Sequence, residues 1–286
     1  MEYEYQFEND NFVVTDDMKS KFDRYGGIII RNFLSKEEVG HIMKSLESEE
    51  FRKYMYGVDD GEGRKAHMNI WNQPGDDITG MVARCDKIVN TCEQLIGGEV
   101  YHYHSKLMGK PPKEGGRHLW HQDYGYWYEN GCLFPNMMTV FMAMDKCEKI
   151  NGCLQYLPGS HKCGRIEHHR LGGQFEADTD RVNEIQKHCT LQHAEMNAGD
   201  AYFMHCNVLH CSSANLSDKR RWALLCCYNR ADNNPVKEHH HPFYTPLIKV
   251  RNEDILNCKK NIDVDGKSFM PLGVDKTSLL QTVDDN

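Results

Sequence analysis

The residues best suited to chemistry lie in one short run, Trp120-His121-Gln122-Asp123. Side chains alternate along a β-strand, so a histidine and an aspartate two positions apart point to the same face. On a strand, His121 and Asp123 could therefore bind one metal ion together. Such a pair is common by chance, and it indicates a metal site only when a third ligand accompanies it.

A second stretch, later in the chain, offers that third ligand in His210 and ends in the pair Arg220-Arg221. His205 lies on the same predicted strand region and competes with His210 for the role. Two histidines and one carboxylate form the facial triad of non-haem Fe(II) oxygenases, which leaves coordination positions open for other ligands. Spacing alone leaves the choice between His205 and His210 open.

The arginine pair fits an acidic cosubstrate of such an iron site. Fe(II) with one carboxylate ligand carries a net positive charge, and a dianionic 2-oxo acid can chelate it through its keto and near carboxylate oxygens. The far carboxylate then needs a cation, and the guanidinium fork matches a carboxylate. Arg220 and Arg221 are neighbours on a predicted strand, so only one of them can face the pocket.

Composition limits the partners of such a site. The chain has 286 residues and a net charge of −8, without a long basic run, so nucleic acid and anionic membrane are unfavourable partners. No run of 18 apolar residues could span a bilayer. The acidic N-terminus lacks a signal-peptide pattern, which predicts a cytoplasmic protein. Its twelve cysteines are scattered and are expected to be free thiols.

Two kinds of element must position these residues. Helices are predicted over 18–25, from the Ser35 capping box onward, and over 81–96, with a buried strand at 28–30 and a long loop over 57–80. After Gly98, short β-prone runs separated by turn residues indicate an all-β sandwich or barrel. These runs are 100–108, 137–144, 153–157, 201–204 and 222–228. Residues 164–195 are predicted to form a charged insertion with some helix, and His239-His240-His241 are predicted to lie in a solvated loop.

Several of these stretches together resemble the phytanoyl-CoA dioxygenase superfamily of Fe(II)/2-oxoglutarate-dependent oxygenases. The resemblance covers roughly residues 18–230. The matching stretches are 25–35, 107–112, 121–123, 151–161, Gly199-Asp200 and 210–221. Asp123-Tyr124-Gly125-Tyr126-Trp127 is similar to a motif of ectoine hydroxylases, and the chain also resembles proteins that are like L-proline trans-4-hydroxylase.

The resemblance implies a mainly β fold, a double-stranded β-helix (jelly-roll) core with flanking N-terminal α-helices. It implies one domain over residues 1–286. Within that domain, 17–97 form a mainly helical part, 98–251 the jelly-roll core and 252–286 a polar tail.

The family pattern also selects among the candidate residues. It makes His210 the third metal ligand beside His121 and Asp123, and Arg221 the arginine that binds 2-oxoglutarate. Further 2-oxoglutarate contacts are expected from Ser212, Thr139, Lys106 and Phe141. Trp127, His104 and Asn72 are candidates for substrate binding. The family usually has glycine where this chain has Cys211, so a thiol is expected close to the metal.

The expected activity is hydroxylation of a small free amino acid or related zwitterion, with an L-proline-like molecule as the best single candidate. Fe(II), 2-oxoglutarate and O2 would be required, with ascorbate as an additional reductant, and succinate and CO2 would be released. The alternatives are an acyl-CoA (phytanoyl-CoA-like) 2-hydroxylase and a catalytically silent metal-binding module. The expected partner is a small-molecule substrate, and the expected state is a monomer or a homodimer.

Overall fold

Strands outnumber helices in the computed structural model, which describes residues 1–171 and 173–270. The strands are β1 (Glu4–Gln6), β2 (Gly27–Arg31), β3 (Tyr56–Asp59), β4 (Lys65–Trp71), β5 (Val100–Lys110), β6 (His118–His121), β7 (Met137–Ala143), β8 (Leu154–Tyr156), β9 (His168–Leu171), β10 (Gln174–Ala177), β11 (Gln192–Ala194), β12 (Ala201–His205), β13 (His210–Ser212) and β14 (Arg221–Arg230). The helices are α1 (Asp16–Tyr25), α2 (Lys36–Leu46), α3 (Glu49–Arg52), α4 (Ile78–Arg84), α5 (Asp86–Ile96), α6 (Asp123–Trp127), α7 (Thr179–Gln186), α8 (Asp254–Asn257) and α9 (Val264–Lys267). Every strand predicted from a short β-prone run is present.

Two sheets form the walls of the site. The larger sheet has the strand order β1-β2-β12-β7-β14-β5-β4-β3, and the smaller has the order β11-β8-β13-β6. Nearly every pairing is antiparallel, and β1 with β2 is the parallel exception among the pairings described. Side chains from both sheets line one cavity, including Leu225 of β14 and Leu154 of β8. This two-sheet arrangement is the predicted jelly roll.

The N-terminal helices cover the larger sheet. Helix α1 packs on β2, and α5 packs on β5, β7 and β14. The predicted capping box begins α2: the Ser35 hydroxyl accepts from the Glu38 N–H, and the Glu38 carboxylate accepts from the Ser35 N–H. Gly26 ends α1 with a φ of 78°, a left-handed conformation that glycine adopts easily and that turns the chain directly into β2.

Two predictions for the N-terminal part are wrong. The expected loop over 57–80 contains most of the β3–β4 hairpin, and β4 extends the larger sheet beside β5. The glycine- and aspartate-rich stretch forms the turn between β3 and β4, where Gly61 and Gly63 have positive φ. The single helix expected over 81–96 is two helices, because Cys85 is extended and forms a β-bridge with Val250.

The described part of the predicted polar tail is ordered against the fold. Ile255 of α8 is fully buried, and so is the ammonium-bearing side chain of Lys267 in α9. Lys267 pairs with Asp77 at 3.0 Å, which anchors this segment to the start of α4. The remainder of that prediction, 271–286, lies outside the described residues, and the boundaries of the single domain stay a prediction. Across the described ranges, no helix combines the length and apolarity needed to cross a bilayer.

Candidate metal centre and its two cavities

The predicted metal ligands meet where β6 pairs with β13. His121 ends β6, His210 begins β13, and the two residues lie directly opposite each other in the ladder. Their ring centroids are 4.1 Å apart. Asp123 completes the group, with its Oδ1 atom 3.9 Å from His121 Nε2 and 4.0 Å from His210 Nε2. One ligand atom from each residue lies within 4.8 Å of the others, which suits a single ion.

Backbone carbonyls orient both imidazoles toward the centre of this group. His121 Nδ1 donates to the Leu119 carbonyl at 2.8 Å, and His210 Nδ1 donates to the Val208 carbonyl at 2.9 Å. Because Nδ1 carries the proton, the Nε2 atom that faces Asp123 carries a free lone pair. Burial lowers the pKa of both histidines, so both rings are neutral ligands at neutral pH. The donor set therefore fits Fe(II).

Asp123 is held as an ionised carboxylate. Burial by itself would raise its pKa, but the Lys106 ammonium, 3.9 Å from Oδ1, lowers it, and the net shift is downward. Its two oxygens are also separately hydrogen-bonded. The Thr139 hydroxyl donates to Oδ2 at 2.6 Å, and the Tyr126 hydroxyl donates to Oδ1 at 2.7 Å. These donors fix the orientation of the carboxylate before a metal binds.

A turn at Gln122, rather than strand alternation, places Asp123 beside His121. The strand ends at His121 and α6 begins at Asp123, so the predicted strand through this motif is wrong beyond His121. The Gln122 amide group donates to the carbonyls of Gly164 and Asn207, each at 2.8 Å, and its backbone N–H donates to His168 Nε2 at 2.9 Å. These bonds anchor the metal-binding turn to the segments that follow β8 and β12.

The helix changes the position predicted for Trp127. This side chain is fully buried and packs edge-on against Tyr103 at 5.5 Å and His104 at 5.6 Å, behind the wall of the site. Tyr126, which the sequence analysis did not single out, is the aromatic residue of α6 that lines the cavity and stacks on the His121 ring. The Asp123–Trp127 motif thus provides an aromatic wall, but the residue that forms it is Tyr126 rather than Trp127.

Two adjoining cavities meet at the metal centre and share Lys106, Met108, His118 and His121. The Arg221 cavity has a volume of about 50 Å³, and the His104 cavity about 70 Å³. The other residues of the Arg221 cavity are Phe141, Leu154, Met204, His210, Cys211, Ser212, Arg221 and Leu225. The other residues of the His104 cavity are Val58, Met68, Ile70, His104, Tyr126, Gly173, Gln174 and Phe175.

Arg220 and Arg221 point in opposite directions, as strand alternation predicts. Arg220 faces the surface and pairs with Glu47 and with Asp145 at 3.1 Å. Arg221 is 3 % exposed, and one guanidinium nitrogen donates to the Gly152 carbonyl at 2.9 Å. The Arg221 Nε has no hydrogen-bond partner among the described residues. The described lining of the Arg221 cavity contains no Asp or Glu side chain. A buried cation without an anionic partner suits a ligand that brings its own carboxylate.

The remaining cosubstrate candidates differ in position. Ser212 and Phe141 line the Arg221 cavity, and Lys106 lines both cavities. Thr139 instead contacts Asp123 and serves the metal ligand. Cys211 lies in the wall of the Arg221 cavity, with Sγ 3.9 Å from Gln155 Oε1, and burial raises its thiol pKa to about 12. It is therefore a neutral thiol at physiological pH.

His205, the rival metal ligand, and Asn72, a substrate-binding candidate, lie outside the two cavities. His205 stays apart from the triad, where its Nδ1 accepts from the Asn207 N–H at 3.1 Å, as expected of a core histidine. Asn72 contacts the His239–His241 segment rather than the cavity lining. His104 lines the cavity as predicted, and its Nδ1 has no hydrogen-bond partner within the described part of the chain.

Sequence reasoning missed His118 because of a β-bulge. His121 pairs with His210 and His118 pairs with Ser212, so three steps along β6 match two steps along β13. The extra residue brings His118 to the cavity side together with His121, although simple alternation would place the two on opposite faces. Gln174 and Phe175 were also missed, since they reach the cavity from the β9–β10 hairpin inside the predicted insertion.

Replacing His210 by glutamine should abolish tight metal binding, because the ion keeps two protein ligands. We expect His210→Gln to lower Fe(II) or Co(II) affinity by more than roughly 100-fold, beyond the usual effect of a residue that only supports a ligand. Isothermal titration calorimetry on the metal-free protein measures this affinity. His205→Gln is the matched control and should bind metal like the wild type. Equal losses in both variants would contradict the assignment of His210.

Thr139→Val should weaken metal binding about 10- to 100-fold, because it removes the hydroxyl that orients the Asp123 carboxylate. Thr139→Ser keeps that hydroxyl and should restore most of the affinity. The same calorimetric titration compares the three proteins. Wild-type affinity in Thr139→Val would show that the hydrogen bond to Oδ2 does not support the metal site.

Comparison with known proteins agrees with this geometry. Residues 22–223 match the model of the phytanoyl-CoA dioxygenase (PhyH) family. L-proline trans-4-hydroxylase of Streptomyces griseoviridis is 27% identical over 253 residues, covering 82% of this chain and 92% of that protein. Ectoine dioxygenase of Halomonas elongata is 25% identical over 232 residues, covering 76% of this chain and 70% of that protein.

Solved structures show the same fold. The crystal structure of EctD from S. alaskensis with 2-oxoglutarate and 5-hydroxyectoine superposes with a TM-score of 0.71 at 18% identity, covering 86% of this chain and 91% of that one. A structure of the same protein with bound Fe gives the same score. The family match includes all three candidate metal ligands and Arg221. The chain therefore belongs to the phytanoyl-CoA dioxygenase (PhyH) family.

Proposed function

We propose that this dioxygenase uses Fe(II), 2-oxoglutarate and O2 to hydroxylate a compact free amino acid or related zwitterion, with an L-proline-like molecule as the leading candidate. The observation that carries the proposal is the pair of small cavities that meet at the triad. One contains a buried arginine that lacks an anionic partner among the described residues, and the other is lined by Lys106 and the aromatic rings of Tyr126 and Phe175.

The charge of the Arg221 cavity suits 2-oxoglutarate. His121, Asp123 and His210 would hold the iron, and this donor set would leave coordination positions open for a chelating 2-oxo acid. Arg221 would bind the far carboxylate, with the Ser212 hydroxyl beside it in the lining. Bound Fe(II) would supply the oxidative decarboxylation of 2-oxoglutarate to succinate and CO2 and the transfer of an oxygen atom to the substrate. The protein orients both molecules and excludes water.

The charges of the His104 cavity favour a substrate with a carboxylate. Lys106 is the cation in its described lining, and that lining contributes no Asp or Glu. Lys106 would therefore attract a substrate carboxylate. The ring faces of Tyr126 and Phe175 would attract an ammonium group by cation–π contact. Burial lowers the pKa of His104 and His118, so their imidazoles are neutral and can accept hydrogen bonds from the same ammonium.

Charge favours a compact zwitterion over an acyl-CoA. Lys106 is the cation in the described lining of the His104 cavity, and a net charge of −8 disfavours the CoA phosphates. A silent metal-binding module would not need an unpaired buried arginine beside the metal. The similarity to L-proline trans-4-hydroxylase over most of both chains also supports the amino-acid proposal.

The decisive experiment is a substrate screen with the Fe(II)-reconstituted protein. We expect succinate formation above the substrate-free rate with L-proline or another small amino acid, and a product one oxygen atom heavier by mass spectrometry. Ectoine and phytanoyl-CoA belong in the panel as the competing classes, and ascorbate is tested as an additive. Hydroxylation of phytanoyl-CoA with no reaction on any amino acid would overturn the proposal.

Arg221→Ala should cost about 2–5 kcal/mol of 2-oxoglutarate binding, since it removes the buried partner of the far carboxylate. The expected readout is a raised KM for 2-oxoglutarate, with metal affinity unchanged by calorimetry. Arg220→Ala is the matched control, because its surface ion pairs contribute no more than about 1 kcal/mol. Comparable increases in the KM at both positions would contradict the role of Arg221.

A further inference from the structure

The His239–His241 segment, expected to be a solvated loop, is packed against the back of the His104 cavity. His241 is 3 % exposed. Its ring lies parallel to the His104 ring, with 4.4 Å between centroids and 14° between planes. Trp127 contacts His104 edge-on at 5.6 Å. His104, a lining residue of the cavity, is therefore in contact with two other rings.

Asn72 fixes the position and the tautomer of His241. The Asn72 amide nitrogen donates to the His240 carbonyl at 2.6 Å, so its amide oxygen faces His241 Nδ1 at 2.8 Å. An amide oxygen can only accept, so Nδ1 of His241 must donate and its Nε2 is an unprotonated acceptor. That Nε2 is buried without a hydrogen-bond partner among the described residues. Asn72 thus holds the segment at two adjacent points.

The position of this segment in the chain separates it from the oxidative machinery. Residues 239–241 lie beyond the stretch that matches the family, which ends at residue 223. Their ring contacts reach His104 and Tyr103, which lie on β5 in the larger sheet. No member of the segment lines the Arg221 cavity as described. The segment can therefore change the shape of the substrate wall while the metal and cosubstrate sites stay as they are.

We propose that His241 and Asn72 are positioning residues that determine substrate specificity: they hold the His104 imidazole in the orientation that recognises the ammonium or ring of a compact amino acid. The proposal rests on the proposed function. The His104 imidazole lines the cavity, and its Nδ1 has no hydrogen-bond partner among the described residues. Its ring contacts with His241 and Trp127 restrict its rotation. Without the His241 ring, His104 gains rotational freedom that must be lost again when substrate binds.

A double-mutant cycle tests this role in the Fe(II)-loaded full chain, with L-proline or the amino acid that the wild type hydroxylates best. We expect His241→Ala to raise the KM for that amino acid about two- to tenfold, the range of an aromatic pair. The KM for 2-oxoglutarate and the substrate-free succinate rate should stay within experimental error of the wild type. His241→Phe keeps the stacked ring, so its KM for the amino acid should lie close to the wild-type value. Asn72→Ala should raise this KM as His241→Ala does.

In the His104→Ala background, His241→Ala should have no further effect on the amino-acid KM, because the ring that it positions is gone. His239→Ala is the control within the same segment, as its ring contacts are with His240 and His241 rather than His104, and it should leave this KM unchanged. Equal effects of His241→Ala in both backgrounds, or a matching rise in the 2-oxoglutarate KM, would overturn the positioning role while leaving the proposed function intact. A wild type without activity on any amino acid would instead contradict the proposed function, and this inference with it.

Discussion

The antiparallel pairing of β6 with β13 is the constraint on which the rest of the site depends. It sets His121 opposite His210 at a ring separation of 4.1 Å, and each ring is then oriented by the backbone carbonyl two residues before it. Asp123 is added by the turn at Gln122, which is anchored by hydrogen bonds to distant segments. The three candidate ligands are therefore positioned by the strand pairing, the Gln122 turn and the hydroxyl donors on Asp123, so metal binding does not need to order the chain.

Charge balance explains the residues around this centre. The triad contributes one negative charge, while Lys106 and Arg221 are cations of the adjoining cavity walls. Keeping two cations in a buried region is costly unless anions accompany them. Asp123 lies near Lys106 at 3.9 Å, but Arg221 has no carboxylate beside it in the described lining. An acidic ligand would therefore balance the charge of Arg221.

The two cavities are built from different parts of the fold. The Arg221 cavity is built from the inner faces of both sheets, whereas the His104 cavity also draws on the β3–β4 hairpin and the β9–β10 hairpin. Hairpins and connecting segments can change without disturbing the metal-bearing strands. His241, which stacks on His104, likewise lies in a segment outside the family match.

The sequence by itself identified the candidate residues of the site and determined the class of fold. His121, Asp123, His210 and Arg221 were identified from residue type, spacing and family resemblance, and the short β-prone runs predicted the strands because local side-chain patterns reflect burial on a sheet face. The tertiary structure decided what depends on contacts between distant segments. The bulge that turns His118 inward, the helix that buries Trp127 and exposes Tyr126 to the cavity, and the stacking of His241 on His104 all arise from packing between residues far apart in the chain, which a local pattern does not record.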